Sequence, residues 1–128
     1  MKNFKTQVRV RYAETDAAEI VYYSNFFIYF EVGKMEMFRE LDLPYDRQLP
    51  MIEAHCDFKM TAKFDDLLEV HTTVPEVYEK GFKVESKVYR EDDGKLNLIA
   101  EGYTIHLTAD KNRNVKPVPK RFINAFKK

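Results

Sequence analysis

Polar and apolar residues alternate along most of this chain, and the alternation fails in one long stretch near the N-terminus. Val8, Val10 and Tyr12 alternate with Gln7, Arg9 and Arg11, the period-2 signature of a half-buried strand. From Ala13 to Ile20, small and acidic residues interrupt the pattern. Ser24-Asn25 then supplies helix N-cap chemistry ahead of a run that predicts a helix reaching about Leu41. Six of the nine residues from Tyr22 to Phe30 are aromatic, and Val32, Met35, Met37, Phe38 and Leu41 extend the apolar character around much of the cylinder. Such a helix is expected to be enclosed, not laid on a surface.

After Pro44 and Pro50, period 2 returns. Ala54, Cys56, Phe58, Met60, Ala62 and Phe64 face one way and His55, Asp57, Lys59, Thr61 and Lys63 the other, which predicts an antiparallel strand wet on one face. Asp65-Asp66 turns into a strand from Leu67 to Val77. Lys80-Gly81 turns into another, in which Phe82, Val84, Ser86 and Val88 point inward. Asp92-Asp93-Gly94 makes a third turn before a last long strand, about Leu96 to Leu107, and Pro117 to Phe126 closes the chain as a short helix or an extension. A ferredoxin-like fold needs a second helix between the later strands, and none of them has a 3.6-residue period. The expectation is therefore an α+β chain in which an antiparallel sheet curls around one helix. Its open edges favour pairing with a second copy.

The length of 128 residues suits a single domain over 1–128, and no repeat or linker divides it. Twenty-one basic and 21 acidic residues cancel, so the general attraction toward nucleic acid is missing. The charge is unevenly placed. Lys2, Lys5, Arg9 and Arg11 open the chain, and Lys111, Arg113, Lys116, Lys120, Arg121, Lys127 and Lys128 close it, with no acid in either stretch. Such ends commonly serve solubility; if they meet, they form a face suited to an anionic small molecule. No apolar run reaches the ~20 residues of a membrane span or forms a signal-peptide core, which predicts a cytoplasmic protein. The single cysteine, Cys56, excludes an internal disulfide and reads as a buried, inert thiol.

Common catalytic signatures, such as a nucleophile elbow or a P-loop, are absent, and His55, His71 and His106 are too scattered to read as a metal site. What remains is the segment from Glu14 to Phe26, where carboxylates precede a helix N-terminus able to hold a carbonyl oxygen or anion. By default, Glu14, Asp16 and Glu19 are solvated or capping residues of a loop. The segment RYAETDAAEIVYYSNFFIYFE, Arg11 to Glu31, however, resembles the N-terminal signature of the 4-hydroxybenzoyl-CoA thioesterase family of hotdog-fold acyl-CoA thioesterases.

That resemblance implies a hotdog fold, an antiparallel sheet wrapped around one long central helix. It also implies hydrolysis of an acyl or aroyl thioester with no metal and no cofactor beyond the coenzyme A of the substrate. Asp16 falls on the catalytic aspartate, nucleophile or general base, and Tyr23 on the aromatic whose backbone N–H polarises the carbonyl. Ser24 and Asn25 fall at the helix start, Tyr22 beside the acyl group, and Glu31 on the acidic residue after the aromatic stretch. The basic turn for coenzyme A falls on Lys80, with Lys63 and Lys83 added from position. Self-association as a dimer or tetramer is implied as well. Two departures stand out: Glu19 occupies a position where the family carries glycine, and Tyr23 one where the Tol-Pal-associated subgroup carries histidine. Hydratase or dehydratase chemistry on the same fold resembles an Asp/His pair after a proline, which is not present. A non-catalytic acyl-CoA-binding module is the other reading, and Glu19 favours it.

Overall fold

The computed structural model describes residues 2–44 and 48–127; Met1, residues 45–47 and Lys128 lie outside the description. Five antiparallel strands form one sheet: β1 (Phe4–Arg9), β2 (Met51–Phe58), β3 (Leu67–Val77), β4 (Gly81–Asp92) and β5 (Lys95–Leu107), in the order β1-β3-β4-β5-β2. Helix α1 (Asn25–Glu40) crosses the inner face, and the short helix α2 (Lys120–Phe126) closes one end. The central strands form where alternation is cleanest. Leu68, Val70, Thr72 and Val74 of β3 and Phe82, Val84, Ser86 and Val88 of β4 are buried against the helix. The turns are local: Gly94 has φ 79° in the Asp-Gly hairpin, a conformation glycine adopts without steric cost.

Helix and sheet approach closely at Gly33. A Cβ there would lie 2.4 Å from Thr72 Oγ1 and 2.8 Å from Val70 Cγ1, so only glycine lets the backbones come this near. The core divides along the helix into two clusters. Around Tyr29 and Phe30 lie Val10, Val21, Phe26, Leu68, Val70, Val88 and Ile99. Around Phe38 lie Phe4, Met37, Phe82, Phe122 and Phe126. Phe4 and Phe126 share that second cluster, so the two basic ends do meet; there Lys2 pairs with Glu40 at 2.6 Å, and Arg121 lies 3.7 Å from Asp42.

Four expectations change. Strand β1 ends at Arg9, and Tyr12 belongs to a 3-10 turn where it is 76% exposed. The strand drawn through Phe64 ends at Phe58, because Lys59 N–H and Met60 N–H both donate to Ile99 O and stop the ladder. Neither face of β2 is closed over: it is a sheet edge, exposed along most of its length, with Cys56 half-buried against the core. Nor is α1 enclosed: Ile28 and Met35 lie on a face that the single sheet leaves uncovered.

Candidate active site

The chain folds back on itself between β1 and α1. Val10 N–H donates to Asp66 O, and the 3-10 turn Tyr12–Glu14 follows, closed by Glu14 N–H to Arg11 O at 2.9 Å. Thr15 and Val21 then pair as an antiparallel bridge, and Asp16 N–H donates to Ile20 O at 2.9 Å. Glu19 N–H returns to Asp16 O at 2.9 Å, so residues 16–19 form the tip of a narrow hairpin. Ala18 N–H donates to Asp16 Oδ1 at 2.8 Å, which orients the half-buried carboxylate; Oδ2 meets no donor among the described residues. Glu19 has φ 67°, a left-handed conformation that costs a residue with a Cβ about 1–2 kcal/mol and suits glycine.

Helix α1 starts beside the base of this hairpin, at Glu14. Tyr22 N–H donates to Glu14 O at 2.9 Å, while Phe26 N–H and Phe27 N–H reach back to Tyr23 O and Ser24 O. Among the described residues, the N–H groups of Tyr23 and Ser24 meet no protein acceptor. The expected Ser24 cap does not form: Ser24 is already helical in φ and ψ and makes no side-chain cap bond. Asn25 ties the helix down instead, its Nδ2 donating to Glu14 O at 2.8 Å.

Glu14 departs furthest from its default reading as a solvated loop acid, being only 5% exposed. Its Oε1 accepts from Arg11 N–H at 2.9 Å and from Tyr29 O–H at 2.8 Å, and its Oε2 from Arg11 Nε at 2.8 Å. Burial alone would raise the carboxyl, but the Arg11 and Tyr29 hydrogen bonds and the Arg11 charge outweigh it and hold Glu14 below the ordinary carboxylate range. The Tyr29 phenol is pushed up by burial and by the same bond to Glu14. The sequence signal for this knot is faint: an Arg and a Glu three residues apart, and a tyrosine half a helix away.

Aromatic rings flank the hairpin. Tyr22 and Tyr23 lie 4.7 Å apart, Tyr23 meets Phe58 edge-on at 6.2 Å, and Phe58 meets Phe26 at 5.7 Å. Tyr22, Tyr23 and Phe58 are each about half exposed within one chain. The Tyr22 phenol is raised by its hydrogen bond to Tyr23, by the Tyr23 charge and, less, by the charge of Asp16. Phe58 was not singled out from sequence, because its alternation looks like that of its neighbours.

The lysines divide. Lys63 bridges Ile20 and, with Ile20, Asp66, Arg90 and Asp92, lines a cavity of about 370 Å³ next to the hairpin. Lys80 and Lys83 sit at the far end of the β3–β4 hairpin, with Lys83 Nζ 4.3 Å from the Tyr103 ring centre. Glu31 lies further along α1, 2.9 Å from the buried Lys34, and both line a cavity of about 240 Å³ with Phe27, Phe30, Thr104 and His106. Burial and the Lys34 charge lower the His106 pKa, partly offset by its bond to Leu49 O and by Glu31. The half-buried Cys56 thiol is pushed up to about 11 by burial and the Asp57 charge, which makes it a poor nucleophile. Among the described residues, no group of three or more His, Cys, Asp or Glu side chains could hold a metal ion, and no helix is long and apolar enough to cross a membrane.

The chain as a whole has counterparts. The model of the thioesterase-like superfamily matches residues 10–126, and the chain belongs to that family. It is 31% identical over 132 residues to the acyl-CoA thioesterase YbgC of Haemophilus influenzae, covering 96% of this chain and 93% of that one. The structure of BH1999 gentisyl-coenzyme A thioesterase is 28% identical, with a TM-score of 0.84 over 95% of this chain and 98% of that chain. The structure of 4-hydroxybenzoyl CoA thioesterase from Pseudomonas sp. strain CBS-3, at 24% identity, shares the fold with a TM-score of 0.87, covering 98% of this chain and 99% of that chain. The sheet wrapped on α1 is thus a hotdog fold, and the protein is a thioester hydrolase by class.

Proposed function

We propose that the protein hydrolyses acyl-CoA thioesters, acyl or aroyl, with Asp16 as the group that attacks or activates water. The observation that carries this is a half-buried carboxylate with one oxygen held by Ala18 N–H and the other without a donor among the described residues. It lies two residues from Glu14, whose carbonyl binds Tyr22 N–H and Asn25 beside the Tyr23 and Ser24 N–H groups that likewise meet no acceptor there. Either Asp16 adds to the carbonyl carbon and forms an anhydride as coenzyme A thiolate leaves, or it takes a proton from the water that adds. In both routes, negative charge grows on the carbonyl oxygen, where one backbone donor is worth about 2.7–4 kcal/mol in well-studied enzymes. Tyr22, Tyr23 and Phe58 bound the acyl group. Asn25 supports the site through Glu14, since its amide already donates to that carbonyl. Glu31 lies toward the distal end of the acyl group. No metal or separate cofactor enters these steps.

A second copy completes the enzyme. β2 is an open edge, and Met51, Ile52, Phe58, Met60 and Phe64 on or just beyond it are exposed within one chain. Pairing of two such edges covers them and places the basic turn of one subunit, Lys80 and Lys83, toward the hairpin of the other, where Lys63 already lies. The assembly is a cytoplasmic homodimer or a tetramer built from it.

The test is release of free thiol from a panel of acyl-CoAs. The unmodified protein is expected to release coenzyme A from at least one, and Asp16→Asn to lower kcat by at least ~10²-fold with folding intact. A single turnover in ¹⁸O-water that labels the Asp16 carboxylate identifies attack, with water opening the anhydride at the Asp16 carbonyl, because base catalysis puts the label only in the product acid. Acyl-CoA binding without hydrolysis by the unmodified protein would favour a binding module.

A further inference from the structure

We propose that Glu14 is a positioning residue whose buried carboxylate, acting through its own main chain, holds the Asp16 hairpin and the start of α1 in one register. The inference rests on the thioesterase reading for its catalytic consequence, but not for its geometry.

Five hydrogen bonds converge on this residue from three segments. Its side chain accepts from Arg11 N–H, Arg11 Nε and Tyr29 O–H; its carbonyl accepts from Tyr22 N–H and Asn25 Nδ2. Tyr29 is fully buried in the second turn of α1, so it gives the carboxylate a fixed point in the core. With the carboxylate pinned at one end and Arg11 at the other, the Glu14 peptide has little freedom to rotate. Its carbonyl therefore presents a fixed acceptor to Tyr22, which leads into the helix, and to Asn25, which opens it. Asp16 lies two residues beyond Glu14, and Tyr23 one residue beyond Tyr22. The separation between the carboxylate that acts and the N–H that receives the oxyanion is thus set across a single residue that touches neither substrate nor reacting atom.

Charge is central to this arrangement. A carboxylate offers acceptors on both oxygens, and all three side-chain partners are donors. Glutamine has the same shape but a donor in place of one acceptor, so in Glu14→Gln an N–H meets either the Arg11 guanidinium or the pair formed by Arg11 N–H and Tyr29 O–H. One side of the knot has to open. Tyr29→Phe is gentler, since it removes one of the three donors and leaves the aromatic packing.

The experiment compares the unmodified protein, Glu14→Gln and Tyr29→Phe by steady-state thiol release and by residue-resolved amide exchange. Glu14→Gln is expected to lose between about 10-fold and 10²-fold in kcat, the scale of an ångström-sized misplacement, with KM little changed. Its Tyr22 amide should exchange faster while Val70 and Val88 of the central strands keep their protection. Tyr29→Phe should move both readouts in the same direction by less, and it carries the test if Glu14→Gln fails to fold. Unchanged kcat in folded Glu14→Gln would overturn the proposal. So would exchange that accelerates uniformly across the sheet, the mark of a merely stabilising role. If the unmodified protein hydrolyses nothing, the hydrolase reading falls, and the exchange arm alone decides whether Glu14 holds the two segments together.

Discussion

The two ends of helix α1 lie on the same sheet and are treated in opposite ways. At its C-terminal end, Phe38 is fully buried and meets Phe82, Phe122 and Phe126 at ring distances of 6.3, 5.7 and 6.3 Å, with α2 laid across the opening. At its N-terminal end, Phe26 and Tyr29 are buried too, but Tyr29 is bonded to a buried carboxylate, Glu14. Tyr12, Tyr22, Tyr23, Phe58 and Phe64 remain exposed there, and the N–H groups of Tyr23 and Ser24 meet no acceptor among the described residues. One end is packed to hold the fold; the other keeps polar groups aimed and accessible. Under the proposed function, stability and chemistry are separated along about 24 Å, the length of a 16-residue helix.

Substitutions can test that separation. Phe38→Ala is expected to cost about 3–5 kcal/mol of unfolding free energy in urea titrations, while the molecules that remain folded keep their kcat. A comparable fall in kcat would mean that the ends communicate. Asp16→Asn is expected to do the reverse, lowering kcat with no shift in the urea midpoint. Glu19→Gly relieves the left-handed φ and should raise stability by up to about 1 kcal/mol, net of the entropy glycine loses on folding. It should also leave kcat unchanged or higher, because a carboxylate beside Asp16 opposes the charge that develops in hydrolysis. Loss of activity in that variant would show that Glu19 has taken over part of the role given to Asp16. The smallest effect is expected at Lys80→Ala: KM for acyl-CoA rises, kcat holds, and the difference shrinks as salt is added. Because Lys80 lies at the far end of its own sheet, a KM effect that vanishes on dilution to monomer would locate it in the partner's site.

Some of this was legible in the chain and some was not, for definable reasons. β3 and β4 could be read almost residue by residue, because each has one face against α1 and turns of Asp, Lys and Gly at its ends. The helix bounds were close for the same reason. The end of β2 was not legible: Met60, Ala62 and Phe64 continue the alternation after the ladder has stopped, and periodicity cannot distinguish a strand from a loop that packs. The exposure of β2 and of Ile28 and Met35 was hidden as well, since an amphipathic pattern implies a covering surface without saying whose. Asp16 stands out only through the resemblance of its segment to a family; no periodicity or spacing marks it. Glu14, two residues earlier, looks like any loop acid until Tyr29, fifteen residues on, is brought to 2.8 Å of it.

The strand order β1-β3-β4-β5-β2 has a consequence for synthesis on the ribosome. β3, β4 and β5 follow one another through short turns, and such loops close at little entropic cost. β1, whose Phe4 pairs with Thr72, must wait for β3, while β2, whose Met51 pairs with His106, must wait for the last strand to emerge. Asp16 is translated early, yet the wall that Phe58 provides beside Tyr23 is held by a strand whose partner among the described residues, β5, is made near the end. A chain cut short before β5 therefore carries the whole signature from Arg11 to Glu31 and still lacks the ladder that holds Phe58 beside Tyr23.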